Sequence, residues 1–148
     1  MLRSVKAATS HMKTNSTASL QKALLCAQAA LEKKAEGVKL LHLRAVNRFT
    51  EYFLICSGMS DRQIQAIADS VEGTMRATKN RPSAIEGYNE GRWVLIDLGD
   101  VIVHVFHDSM REHFNLERLW AHAPKIPIPA EYYGAGFGAS SSSSHAPA

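Results

Sequence analysis

The residues best placed to do chemistry are Asp97 and Asp100, which flank the turn formed by Leu98 and Gly99. Paired carboxylates can bind Mg²⁺ for phosphoryl transfer, but such pairs usually stand two positions apart on one face of a strand. The chain also has no Gly-rich phosphate loop and no Gly-Ser pair at the start of a helix, because Ser57-Gly58 has the reverse order. We therefore predict that both carboxylates fasten the turn through backbone hydrogen bonds. A Mg²⁺-dependent, nucleotidyltransferase-like enzyme is the alternative of another class.

Four histidines between positions 104 and 122 raise the question of a metal site: His104, His107, His113 and His122. Zinc needs three or four ligands that converge on one point. His104 falls within a predicted strand and His107 just beyond its end, so their side chains should diverge. We predict no metal site and no cofactor, and a hydrogen-bonded position for His104 within the sheet.

Ser57 and Ser60 precede a predicted helix, but they lack the Gly-x-Ser-x-Gly pattern of a nucleophile elbow. Ser60 and Gln63 instead have the spacing of a capping box. The start of this helix could still accept an anion through its free N–H groups, with Arg62 close by. We predict no catalytic residue among them.

Trp93 is more informative, because it begins a strand directly after a turn. Alternation assigns the strand to two faces, with Trp93, Leu95 and Asp97 on one and Val94, Ile96 and Leu98 on the other. A tryptophan that shares a face with an acid is typical of a protein-contact patch. The alternative is that Trp93 packs under the last helix as ordinary core, and the pattern leaves both open.

The elements that position these residues follow from apolar periodicity and turn signals. We predict a helix over about 19–36 that ends before Gly37, followed by strands over Val38–Val46 and Tyr52–Cys56. A second helix runs from Ser60 to about Lys79, and three strands follow over Ala84–Tyr88, Trp93–Leu98 and Val101–Phe106. A short last helix is capped by Ser109 and has the apolar positions Phe114, Leu116, Leu119 and Trp120. Short turns predict that the last three strands are antiparallel neighbours. The fold class is therefore α/β, with a mixed five-stranded sheet and flanking helices.

The length of 148 residues, with 45% apolar and 21% charged residues, fits one globular domain. No apolar run approaches the ~20 residues of a membrane helix. We assign 1–18 to a flexible extension or cloning remnant, 19–123 to the domain, and 124–148 to a flexible tail rich in Pro, Gly and Ser. Cys26 and Cys56 lie in apolar segments, which predicts reduced core thiols.

The basic character of the chain is confined to its N-terminal segment. Residues 1–31 hold four basic residues and no acidic one, whereas the remainder holds 13 basic and 14 acidic residues. Proteins that bind nucleic acid usually carry a basic stripe on the folded domain. We therefore expect no direct nucleic-acid specificity. The basic, acid-free start also leaves open an organelle transit peptide over residues 1–15.

Three stretches carry motifs in a specific order and spacing: Phe53–Gln63 with Ala66–Asp69, Glu86-Gly87 with Gly91–Phe106, and Arg111–Trp120. Together they resemble the signatures of the ribosomal silencing factor family, also called the Iojap-like family, over about residues 19–122. The resemblance implies a nucleotidyltransferase-like core without its catalytic motif. It also implies a translational repressor that binds the large ribosomal subunit through ribosomal protein fourteen of that subunit and sterically blocks the small subunit.

The resemblance implies that the strand beginning at Trp93 contacts the partner. The partner-binding residues are then Trp93, Val94, Ile96, Asp97 and, at the following turn, Asp100. Because alternation places these residues on different faces, some would contribute through backbone or edge contacts. Assembly of the large subunit is the alternative function. The sequence also leaves open a homodimer of the free protein. The resemblance implies a bacterial cytoplasmic location, or a mitochondrion or plastid if a transit peptide is present.

Overall fold

The structure of the chain, a computed structural model, describes residues 2–43, 50–115, 118 and 121–133. The elements within these ranges are the helices α1 (Leu2–Glu32), α2 (Asp61–Ala77) and α3 (Asp108–Phe114), the strands β1 (Glu36–His42), β2 (Tyr52–Gly58), β3 (Ala84–Glu86), β4 (Trp93–Asp97), β5 (Val101–His107) and β6 (Lys125–Ile126), and a 3-10 helix over Ala130–Tyr133. None of the helices in these ranges is long and apolar enough to cross a membrane.

The strands form one mixed sheet with the order β3-β4-β5-β2-β1-β6. The central pair, β2 and β5, is parallel, and all other neighbours are antiparallel. Every residue of β2 is buried, as expected for a parallel strand that is covered on both faces. The predicted α/β class, the central strand and the antiparallel order of the last three predicted strands are confirmed.

The sheet has six strands rather than the predicted five. The sixth, β6, pairs Lys125 and Ile126 with the outer edge of β1. Prolines at positions 124, 127 and 129 surround it, so the sequence shows no alternation there, and prolines are tolerated at a sheet edge because their missing N–H faces outward. The division into extension, domain and tail stays a prediction, and residues 134–148 lie outside the described part.

Two layers of apolar side chains cover the two faces of the sheet. On one face α1 and α2 pack against the sheet, and α2 contributes the buried residues that its periodicity predicted: Ile64, Ile67, Ala68, Val71 and Met75. On the other face the buried residues are Leu41, Leu43, Phe53, Ile55, Phe106 and Ala123, with Met110 of α3 packed against them. The apolar positions predicted for the last helix, Phe114, Leu116, Leu119 and Trp120, lie outside the described side chains.

Helix α1 differs from its prediction at both ends. It begins at Leu2 rather than near residue 19, because no glycine or proline interrupts the sequence up to Glu32. It ends before Gly37 at a Schellman-type turn, in which Lys34 has a φ of 64° and the Ala35 N–H donates to the Ala30 carbonyl at 3.2 Å. Strand β1 then ends at His42, and the predicted continuation to Val46 runs beyond the residues that are described.

The two predicted caps have different outcomes. At α2, Ser60 Oγ accepts a hydrogen bond from the Gln63 N–H at 3.0 Å, which confirms Ser60 as the cap. At α3 the prediction of Ser109 is wrong, because β5 runs directly into the helix and His107 Nδ1 accepts from the Ser109 N–H at 3.3 Å. An imidazole at the strand end therefore takes the position that sequence rules give to a serine.

Asp100 joins α1 to the turn between β4 and β5. Its carboxylate accepts hydrogen bonds from Ser19 Oγ and from Lys22 Nζ, the latter at 2.7 Å. The prediction that this carboxylate fastens its own turn is only part of the arrangement, because the carboxylate has a backbone hydrogen bond at Asp100 itself but also binds two donors on α1. Burial alone would raise the pKa of Asp100, but the hydrogen bonds from Lys22 and Ser19 outweigh it and hold the pKa below 3.8.

We predict that Asp100→Asn lowers the free energy of unfolding by about 1–2 kcal/mol, because a charged hydrogen-bond acceptor is lost at a half-exposed site. Urea denaturation at pH 7 measures the change. Glu90→Gln is the control, because Glu90 is an exposed acid in the loop before β4. An equal loss in both variants would contradict a specific link between α1 and the turn.

Candidate functional site

The residues of β4 alternate between two environments. Val94 and Ile96 have no exposed surface and belong to the core beneath α1 and α2. Trp93, Leu95 and Asp97 are half-buried on the opposite side of the sheet. The predicted alternation of this strand is therefore confirmed, and only every second residue can present its side chain to a partner.

The exposed side of β4 continues onto its two neighbours. Ala84 lies opposite Asp97 and Glu86 lies opposite Leu95 on β3, while Ile102 lies opposite Asp97 on β5. Paired residues of antiparallel strands share a face. We call this surface the β4 face and define it by the following side chains: Trp93, Leu95, Asp97, Ala84, Glu86 and Ile102.

The structure brings together only part of the predicted partner-binding set. Trp93 and Asp97 lie on the β4 face, whereas Val94 and Ile96 point into the core. Asp100 lies beyond the strand, with its carboxylate bound to α1. Leu95 and Glu86 also lie on the face, and the period-2 pattern of the strand already indicates Leu95. Glu86 carried no such signal, because its place depends on the pairing of β3 with β4.

The loop before β4 is fastened to α2, which sets the position of Trp93. Gln65 Nε2 donates to the Tyr88 carbonyl at 2.9 Å, and the Tyr88 hydroxyl donates to Asp69 at 3.1 Å. Gly87 has a φ of +80°, and a Cβ there would lie 2.1 Å from the Trp93 carbonyl oxygen. Glycine is required at this position, because any side chain would push the loop away from the strand.

Aromatic rings form the floor of the β4 face at Trp93. The Trp93 ring stacks on Phe106 with 4.9 Å between ring centroids, and its Nε1–H donates to His104 Nδ1 at 3.2 Å. The His104 ring makes an edge-on contact with the Phe53 ring, with 4.6 Å between the ring centroids. One side of the Trp93 ring packs on the core, as the core alternative predicts, and the residue is half-buried; contact with a partner stays a prediction.

His104 is a buried, neutral histidine. Only 4% of the residue is exposed, and burial lowers its pKa from 6.5 to about 4. Because Nδ1 accepts the Trp93 hydrogen bond, the ring proton resides on Nε2, and this atom has no hydrogen-bond partner among the described residues. A buried donor without a partner costs about 1–3 kcal/mol. The predicted hydrogen-bonded sheet position is confirmed, at a cost to stability.

The groups that a nucleotidyltransferase would combine lie apart. Asp97 pairs with Ile102 at the amino end of β5, whereas α2 begins after Gly58, which pairs with His107 at the carboxyl end. Five residue steps from Ile102 to His107 correspond to about 17 Å of strand. Asp97 Oδ1 accepts from the Gly99 N–H at 2.8 Å, so its predicted turn role is confirmed.

Other reactive groups within the described ranges are also placed structurally. No group of three or more His, Cys, Asp or Glu residues there could hold a metal ion. Cys26 and Cys56 are buried free thiols, and burial raises the pKa of each to about 12. Thiols with such values are protonated at neutral pH and are poor nucleophiles. The prediction of reduced core cysteines is confirmed.

Comparison with known proteins identifies related chains. The family model described as "Ribosomal silencing factor during starvation" matches residues 16–147. The chain is 43% identical over 104 residues to the ribosomal silencing factor of Halalkalibacterium halodurans, covering 70% of this chain and 89% of that protein. It is 44% identical over 106 residues to that of Bacillus subtilis, covering 70% and 90%.

A solved structure and a more distant relative extend these matches. A crystal structure from Bacillus halodurans is 42% identical and superposes with a TM-score of 0.63, covering 70% of this chain and 94% of that chain. The mouse protein named "Mitochondrial assembly of ribosomal large subunit protein 1" is 28% identical over 92 residues, covering 60% of this chain and 40% of that protein.

We predict that acid destabilises the protein through His104. Between pH 6.5 and about 4 the unfolded chain binds a proton at this histidine and the folded chain does not, so the free energy of unfolding falls by up to about 3 kcal/mol as the pH drops. Urea denaturation from pH 7 to pH 4 measures the slope. It should be smaller in His104→Phe and unchanged in the control His122→Gln, since His122 is exposed. An unchanged slope in His104→Phe would contradict the assignment.

Proposed function

Because the chain belongs to the ribosomal silencing factor family, we propose that it represses translation by docking its β4 face on the large ribosomal subunit, where it excludes the small subunit. The observation that carries this proposal is Trp93, which is half-buried on the β4 face and stacks on Phe106 beneath it. Tryptophan is enriched at the energetic centres of protein interfaces, because it buries a large area with little loss of side-chain freedom.

The charges of the β4 face favour a basic protein as the partner. Glu86 is exposed and Asp97 is half-buried, and none of the ion pairs within the described ranges involves either residue. Proteins that sit on ribosomal RNA carry Lys and Arg to neutralise its phosphates. The apolar side chains of the β4 face, with the two carboxylates beside them, are complementary to such a surface. We propose ribosomal protein fourteen of the large subunit as the partner.

The proposed mechanism is steric and involves no catalysis. The separation of Asp97 from the start of α2 supports this, because a phosphoryl-transfer site needs its carboxylates and its anion-binding groups around one point. Repression then depends only on where the protein binds and on how much space it fills. The bacterial relatives favour a cytoplasmic location, and the mitochondrial relative favours an organelle as the alternative.

Assembly of the large subunit is the second candidate function. The name of the mouse relative favours it, and the same face would then dock on a subunit precursor. In the free protein, the β4 face would also suit a second copy of the chain, which the ribosome would displace. Sedimentation velocity of the protein alone distinguishes a monomer from this dimer.

Sedimentation with purified bacterial ribosomal subunits tests the proposal. We expect the protein to sediment with the large subunit, to be absent from the small-subunit fraction, and to reduce the yield of joined ribosomes. Binding to the large subunit without loss of joining would favour the assembly role. A protein that binds neither subunit would contradict both roles, and thermal stability with nucleotide and Mg²⁺ would then test the enzyme alternative.

We predict that Trp93→Ala weakens binding to the large subunit by about 30-fold, equivalent to about 2 kcal/mol, because an interface anchor is removed. The dissociation constant from co-sedimentation measures the change, and circular dichroism checks that the variant is folded. Arg76→Ala is the control, because Arg76 is exposed on α2 on the opposite side of the sheet. Unchanged binding by a folded Trp93→Ala protein would remove Trp93 from the interface.

We predict that the double variant Glu86→Gln, Asp97→Asn weakens binding by about tenfold at low salt and reduces its dependence on salt concentration. Asparagine keeps an oxygen that can accept from the Gly99 N–H, so the turn should persist. Titrations at two salt concentrations measure the effect. The double variant Glu32→Gln, Glu131→Gln is the charge-matched control, because both glutamates are exposed and lie outside the β4 face, and an equal response of this control would indicate only a change in net charge.

A further inference from the structure

The hydrogen bond between Trp93 and His104 links the β4 face to the buried aromatic layer. The indole Nε1–H of Trp93 donates to His104 Nδ1 at 3.2 Å. His104 lies opposite Leu95 on β5, two pairs along the ladder from the pair formed by Trp93 and Phe106. The two residues are thus diagonal neighbours on one face, within the reach of aromatic side chains.

The His104 ring is itself held in place by its neighbours. Its centroid lies 4.6 Å from that of Phe53 in an edge-on contact, and it is nearly parallel to Phe106 at 6.0 Å, with 9° between the ring planes. Trp93 also stacks on Phe106. Among the described residues, the indole therefore contacts a ring beneath it and an acceptor for its only polar atom.

Folding alone does not explain a histidine at this position. The Nε2 atom of His104 is buried without a hydrogen-bond partner in the described part of the chain, and only 4% of the residue is exposed. A phenylalanine would fill similar space in the aromatic layer and bury no polar atom. What phenylalanine lacks is the acceptor at the position of Nδ1.

We propose that His104 is a positioning residue that fixes the Trp93 indole in the orientation needed for docking. This inference rests on the proposed function of the β4 face. A side chain that is ordered before binding loses less conformational freedom when the complex forms, so affinity rises without any new contact to the partner. His104 thus acts through Trp93 and does not itself touch the ribosome.

Two substitutions at His104 separate the acceptor from the ring. His104→Phe keeps an aromatic ring and removes the acceptor, whereas His104→Asn loses the ring and keeps an oxygen close to the position of Nδ1. We expect His104→Phe to bind large ribosomal subunits about 3- to 10-fold more weakly than the unaltered chain, although it folds at least as stably at pH 7. His104→Asn should retain more of the affinity despite lower stability.

The free protein provides a readout that does not depend on the ribosome. In ¹⁵N–¹H NMR spectra, the indole N–H signal of Trp93, assigned through its absence in Trp93→Phe, should shift and exchange faster with water in His104→Phe. In His104→Asn the signal should remain protected. A signal that is unaffected by His104→Phe would show that the hydrogen bond does not form, and the inference would be overturned.

A double-mutant cycle excludes a purely structural role. Trp93→Phe has no N–H, so in that background His104→Phe should cause no further loss of binding. An equal loss in both backgrounds would mean that His104 acts through the fold, and equal binding by His104→Phe and the unaltered chain would also overturn the inference. Failure of the unaltered chain to bind large subunits is a different result, because it rejects the proposed function on which the inference rests.

Discussion

The parallel pairing of β2 with β5 is the constraint on which the rest of the domain depends. Its register runs from Tyr52 opposite Val101 to Gly58 opposite His107, through the middle of the sheet. A parallel pair is stable only when both of its faces are covered, so α1 and α2 must pack on one side and an aromatic layer on the other. The antiparallel strands β4 and β3 then extend the sheet beyond β5, where the second face becomes partly open.

Local patterns in the sequence were enough to predict most of the elements. The alternation of β4, the continuous apolar run of β2 and the cap at Ser60 each depend on residues only a few positions apart, and each is confirmed. The strand β6 was missed, because it consists of two residues between prolines and exists only through its pairing with β1. An edge strand of that kind has no sequence signal of its own.

Local patterns of this kind predict only part of the candidate site. Asp100 was assigned to its own turn, yet its carboxylate binds Ser19, 81 positions earlier in the chain, and no local rule predicts a contact at that separation. The alternation assigns Trp93 to a face but does not indicate how much of that face is covered, so it does not decide between core and contact. The acceptor for its indole, His104, depends on the register of two strands, which the sequence does not state.

Steric exclusion requires that the docked face be rigidly connected to the bulk of the protein, and the sheet provides this connection. Val94 and Ile96 are buried under the helices, while Trp93, Leu95 and Asp97 of the same strand lie on the β4 face. The helical layer is therefore on the side of the sheet that would point away from a partner docked on the β4 face. A helix with its side chains is about 10–12 Å across, so this layer projects into the space beyond the sheet. Because one strand contributes to both surfaces, the helices cannot tilt relative to the β4 face without breaking the core, so under the proposed docking the domain would act as a rigid spacer.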